Sequence, residues 1–129
     1  MWSISTTDTF DEWYEKLDDT DRANVLAAML VLQSLGPMLG RPHADTVNGS
    51  AYSNMKELRV QSKGQPLRAF FAFDPERNGI LLCAGNKAGN EKRFYEDMIR
   101  IADRAYAAHL EVLKGKNKDG KNTRSVDRK

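Results

Sequence analysis

The chain has 129 residues, 40% hydrophobic and 29% charged, an ordinary soluble composition with room for one modest core. No apolar run nears the roughly 18–20 residues of a membrane span, and the single cysteine, Cys83, excludes an internal disulfide. The net charge of +2 hides an asymmetry: residues 114–129 carry seven Lys/Arg and two Asp, which leaves −3 on the rest, so an anionic partner of the body must be met by a local cluster.

Trp2-Ser3-Ile4-Ser5 alternates and predicts a short first strand. The same N-terminus lacks the basic and apolar regions of a secretory signal, so a cytoplasmic protein is expected. Thr7 or Asp8 caps a helix to about Leu17, with Phe10, Trp13, Tyr14 and Leu17 as its apolar stripe. Asp18 to Asp21 is a break, and Thr20 or Asp21 caps a second helix. That helix carries Val25, Leu26, Met29, Leu30, Leu32 and Leu35, and Gly36-Pro37 stops it. Residues 40–53 read as a loop.

Three strands in a meander follow. Met55 to Val60 alternates, with Leu58 and Val60 on one face and Glu57 and Arg59 on the other. Leu67 to Phe73 places Leu67, Ala69, Phe71 and Phe73 together and leaves Arg68 opposite, with Phe70. The polar turn between them predicts a hairpin that sets Arg59 near Arg68. Ile80 to Ala84 is the third strand; it holds Cys83 as a small buried hydrophobe and ends in Gly85-Asn86-Lys87. Gly89-Asn90 opens a last helix through Leu113 with a wide apolar face. Residues 1–114 therefore read as one domain, and 115–129 as a basic, disordered tail.

The predicted order is β-α-α-β-β-β-α: an α+β fold with helices on one face of a small, mostly antiparallel sheet. The other face is left partly open, and it carries Glu57, Arg59 and Arg68. With Lys87 at a strand end, that surface suits phosphate better than an apolar ligand. Lys92 and Arg93 follow on the first turn of the last helix. Cations there gain nothing from the helix dipole, which favours an external anion.

The segments Leu39-Gly40-Arg41-Pro42, Met55 to Arg59, Leu67 to Pro75 and Gly85-Asn86-Lys87 resemble the RelE/ParE superfamily of toxins. The chain is most similar to its HigB-like, phage-derived branch, which Phe94-Tyr95 and Ala102 to Leu110 also fit. The resemblance covers residues 2–113 and rests on the order and spacing of the motifs. It implies the toxin of a type II toxin–antitoxin system, an endoribonuclease that cuts mRNA on the ribosome. Attack of a ribose 2′-OH on the adjacent phosphate needs no metal or other cofactor. The implied partners are a cognate antitoxin of helix-turn-helix type, the ribosome and mRNA; operator DNA is reached only through the antitoxin, and no membrane is involved.

The resemblance maps the family's strand arginine to Arg68, its strand-end base to Lys87, its second arginine to Arg59 and its late aromatic to Tyr95, or less directly to Phe94. The chemistry asks for a base, cations for the phosphorane and an acid for the 5′-oxygen. Lys87 is the expected base, since crowding by Arg59, Arg68 and Lys92 would favour its deprotonated form. Arg68 would hold the phosphate, Tyr95 would stack on a base or orient the phosphate, and Glu57 would orient an arginine. Several members of the superfamily use histidines, but His43 and His109 fall outside the motif positions. Two other functions stay open: a ParE-like inhibitor of DNA gyrase, and an inactive RNA- or antitoxin-binding module.

Overall fold

The computed structural model describes residues 1–119. Its elements are β1 (Ile4–Thr6), α1 (Asp8–Glu15), α2 (Asp19–Leu35), a 3-10 turn (Gly36–Met38), β2 (Ala44–Thr46), β3 (Lys56–Ser62), β4 (Gln65–Phe73), β5 (Gly79–Asn86) and α3 (Glu91–Asp119). The five strands form one sheet in the order β1-β5-β4-β3-β2. Only the β1–β5 pair is parallel. The fold class is α+β, as expected.

Local chemistry explains the helix starts. Thr7 caps α1 by accepting the Phe10 N–H at 3.1 Å, and its hydroxyl donates to the Leu82 carbonyl, tying the cap to the sheet. Asp18, not Thr20 or Asp21, caps α2, accepting the Asp21 N–H at 2.8 Å. Asp21 is engaged elsewhere, accepting from Ser62 and pairing with Lys63 on the β3–β4 hairpin. Asn90 caps the start of α3 by accepting the Arg93 N–H.

The sheet has a core on each face. Phe10, Val25 and Leu32 of α1 and α2 meet Leu58, Phe71 and Leu81 on one face. Ala102 and Tyr106 of α3 meet Phe70, Leu82 and Cys83 on the other. The expectation of helices on one face and an open second face is therefore corrected: α3 covers the second face. A bulge explains why that face is too apolar to leave bare. Phe70 pairs with Cys83 but Phe71 with Leu81, so Leu82 is the extra residue, and Leu82 and Cys83 are both buried under α3. Burial also pushes the Cys83 thiol up to about 12, consistent with an inert small hydrophobe.

Two further expectations change, those for the loop 40–53 and for the end of the last helix, and α2 buries only part of its apolar surface. The loop 40–53 contains β2, which pairs with β3; three residues are too few to show an alternation. On α2 only Val25 and Leu32 are fully buried, while Leu26, Leu30 and Leu35 are exposed. An all-round apolar helix does not announce which side packs. α3 runs past Leu113 through Gly115 to Asp119, and the rest of the expected tail, residues 120–129, lies outside the described residues.

The far half of α3 is locked to the β4–β5 connection by Asp74. One carboxylate oxygen accepts the N–H groups of Glu76 and Asn78. The other accepts from His109 Nε2 at 2.7 Å, which explains His109 as a packing residue. Burial pushes the Asp74 carboxyl up, but the His109 hydrogen bond and the two amides outweigh it and hold it below its ordinary value. A carboxyl lowered on folding stabilises the fold above its unfolded value of about 3.9, and that contribution is lost as pH falls through the folded value. Urea midpoints measured from about pH 5 to pH 2 should therefore fall less steeply for Asp74→Asn than for the parent. Equal slopes would remove Asp74 from the account.

Candidate functional site

The hairpin β3–β4 pairs Arg59 directly with Arg68 and Glu57 with Phe70, the register expected from alternation. Glu57 is the hub. Its side chain is only 6% exposed. Oε1 accepts the Tyr95 hydroxyl at 2.6 Å, and Oε2 accepts Arg59 Nε at 3.1 Å. Arg68 Nε stands 3.9 Å from Oε1, beyond hydrogen-bond reach, and has no hydrogen-bond partner among the described residues. Its Nη1 donates to the Leu67 carbonyl. A buried donor left unmade is costly, so this guanidinium edge is chemically unspent.

Burial and the hydrogen bond to Glu57 push the Tyr95 phenol up to about 12, so it remains a neutral donor near pH 7. Phe94 packs on Gly85 and, like Tyr95, against Phe70, but only Tyr95 carries a hydroxyl that meets Glu57. Lys87 follows the end of β5; its backbone N–H donates to the Pro66 carbonyl, and its ammonium lies 6.0 Å from the Tyr95 ring centroid.

A cleft of about 300 Å³ opens here, walled by Asp45, Asn48, Glu57, Arg59, Lys87 and Tyr95, among others. Four of the seven sequence-predicted residues thus share one wall. Arg68 lies 3.9 Å from Glu57 and is not part of that wall. Lys92 and Arg93 sit exposed outside the cleft, and Arg93 pairs with Asp97 at 3.9 Å. Neither histidine lines the cleft.

Two acidic residues join the site that the sequence patterns do not single out. Asp45 on β2 accepts from Arg59 at 3.3 Å and from Arg41 at 2.9 Å. The Thr46 amide and these arginines outweigh its partial burial and hold its carboxyl below the usual value. Asp45 also faces Glu57 in register, a like-charge pair that Arg59 neutralises by bridging both. Glu91 lies 3.8 Å from Lys87, so an anion, not the expected crowd of cations, is its ion-pair partner. The Lys87/Glu91 spacing of four residues is the available signal; nothing in the sequence marks Asp45.

Comparison with known proteins decides the family. Residues 12–107 match the model of the family described as phage derived protein Gp49-like (DUF891). The chain belongs to the Gp49-like family. It is 48% identical over 99 residues to a Mycobacterium tuberculosis H37Rv protein named "Putative toxin HigB2", which covers 76% of this chain and 49% of that protein. It is also 48% identical over 93 residues to "Putative toxin HigB3" of the same organism, covering 72% of this chain and 80% of that one. The chain thus spans about half the length of the first relative and most of the second.

The structure of this Gp49-like protein is also similar to that of the E. coli toxin RelE, solved as a mutant in the free state. The TM-score is 0.54 at 12% identity, over 73% of this chain and 92% of that one, which shows a common fold. The HigB-like resemblance seen in the sequence motifs is therefore correct at the level of family and fold. Among the described residues, no helix is long and apolar enough to cross a membrane, and no group of three His, Cys, Asp or Glu is placed to hold a metal ion.

Proposed function

We propose that this Gp49-like chain is the toxin of a type II toxin–antitoxin pair, an endoribonuclease that cuts mRNA on the ribosome and is held inactive by a cognate antitoxin. One observation carries the reading: Glu57 ties Arg59 and Tyr95 together on the wall of a polar cleft that also holds Lys87, with the buried Arg68 guanidinium 3.9 Å from the same carboxylate. In this reading the unspent Arg68 edge turns to the scissile phosphate, and Arg59 neutralises the phosphorane. Glu91, 64% exposed, swings away as the RNA enters, and Lys87 takes the proton of the 2′-OH. The 2′-oxygen bonds to phosphorus, the bond to the 5′-oxygen breaks, and the departing 5′-oxygen takes a proton from water, which leaves a cyclic phosphate and a free 5′-hydroxyl. Tyr95 stays a neutral donor that orients the phosphate.

A second reading, a binding module without chemistry, has its own support. Arg59 and Lys87 are already paired with carboxylates, so a phosphate must displace them.

Cell-free translation with added protein and primer extension on the mRNA separates the readings. Codon-phased cuts are expected with ribosomes and the parent chain, and none with Arg68→Ala. Intact mRNA with arrested translation would favour the binding module. Intact mRNA with normal translation but lost supercoiling activity would point to DNA gyrase as the target.

A further inference from the structure

The turn before β2 carries an arginine that the cleft leaves unused. Arg41 is not on the cleft wall, and its side chain is 77% exposed. Two ties hold it beside Arg59. The His43 carbonyl accepts the Arg59 N–H at 2.8 Å, and the N–H groups of His43 and Ala44 close the turn on the Gly40 carbonyl. Asp45 Oδ2 then accepts both Arg41 Nε, at 2.9 Å, and Arg59 Nη2, at 3.3 Å. Two guanidinium groups therefore meet on one carboxylate oxygen, beside the cleft that Asp45 lines.

An ordinary surface ion pair matches one cation with one anion and is worth little. Here three arginines, Arg41, Arg59 and Arg68, stand within ion-pair distance of only two carboxylates, Asp45 and Glu57. One positive charge is left over, while Lys87 and Glu91 cancel. The bond to Asp45 takes up only Nε of Arg41, so its two η nitrogens remain for a further acceptor. Such a fork of N–H groups fits phosphate oxygens.

We infer that Asp45 is a positioning residue and Arg41 a binding residue. Through one carboxylate, Asp45 sets Arg41 next to Arg59, so that two successive phosphates of a single RNA strand are bound, one in the cleft and the next at Arg41. This second contact rests on the RNA reading proposed above and adds a direction to it. A strand held at two points is fixed in orientation as well as place, which attack on one chosen phosphate requires.

Binding of 2′-O-methyl oligonucleotides to the full chain, followed by NMR titration at low salt, tests this without cleavage, because the attacking oxygen is blocked. A dinucleotide offers one phosphate and a trinucleotide two. Arg41→Ala should bind the dinucleotide as the parent does and the trinucleotide about three- to fivefold more weakly. The salt dependence of its trinucleotide affinity should lose about 0.7 of its slope, the share of one phosphate contact. The variant should fold normally, since the side chain is exposed. Asp45→Ala removes a negative charge, so charge alone would tighten both ligands equally. Positioning predicts instead that the advantage of the trinucleotide over the dinucleotide shrinks as it does in Arg41→Ala. Equal effects of Arg41→Ala on the two ligands, or none on either, would overturn the second contact and leave the RNA reading standing. An Asp45→Ala variant that tightens both ligands equally would overturn the positioning role. A parent chain that binds neither oligonucleotide would overturn the second contact and the RNA reading together.

Discussion

Glu57→Gln is expected to destabilise the fold by about 3–5 kcal/mol, the usual cost of removing one member of a buried ion pair. The substitution keeps the shape and deletes the charge. Arg68, 9% exposed, loses its one ion pair among the described residues. Arg59 is 35% exposed, so water compensates it and its share is smaller. The Tyr95 hydroxyl keeps an acceptor, but a neutral one. Against a typical total of roughly 5–15 kcal/mol, such a loss is visible as a large drop in the urea midpoint.

A double-mutant cycle with Tyr95→Phe isolates the hub. Tyr95→Phe alone should cost about 1–2 kcal/mol, because Glu57 keeps other donors. If the two side chains act through their 2.6 Å bond, the double variant should lose less than the sum by about 1 kcal/mol. Additive costs would mean that Glu57 and Tyr95 stabilise the fold independently, and the site would not be one unit. RNA cleavage, where it is found, should fall with Glu57→Gln even at temperatures where the variant is folded, since Arg68 and Arg59 lose their common anchor.

The second large effect lies far from the cleft. Gly36 ends α2 with φ of 60° and ψ of −141°, a conformation nearly confined to glycine. A Cβ there would sit 2.4 Å from the Trp2 indole nitrogen. Trp2 is not free to retreat, since it packs edge-on against Phe73 at 5.5 Å and under the Arg77 guanidinium at 5.0 Å. Gly36→Ala combines backbone strain of about 1–3 kcal/mol with overpacking of about 1–3 kcal/mol, so a loss of roughly 2–6 kcal/mol is expected by thermal or urea unfolding. Placing Gly36→Ala in a Trp2→Ala background removes the clash and leaves the strain. The alanine should then cost clearly less. The same cost in both backgrounds would show that the backbone alone sets the penalty.

The legible parts of the site are those fixed by one hairpin. Alternation on β3 and β4 sets which residues share a face, and a short turn between them sets the register. Local periodicity alone therefore brings Glu57, Arg59 and Arg68 together. Lys87 at the strand end and Tyr95 one helical turn into α3 follow from the same local rules and the family motifs. Asp45 is not legible. β2 is three residues long, exists only because β3 offers it an edge, and has no pattern of its own. The pairing of Lys87 with Glu91 is visible only as a four-residue spacing, which does not say that a carboxylate and not a cation meets the ammonium.

By itself, then, the sequence determined the kinds of elements, the faces of the β3–β4 hairpin, the burial of Cys83 and the membership suggested by its motifs. These depend on local periodicity and turn chemistry, which act over a few residues. Only the tertiary structure decided that α3 covers the second face of the sheet, that β2 brings Asp45 opposite Glu57, and that α2 leaves Leu26, Leu30 and Leu35 in water. Each of those depends on which of several apolar surfaces meet. Hydrophobic attraction has no direction, so the choice falls to the geometry of the whole packed chain.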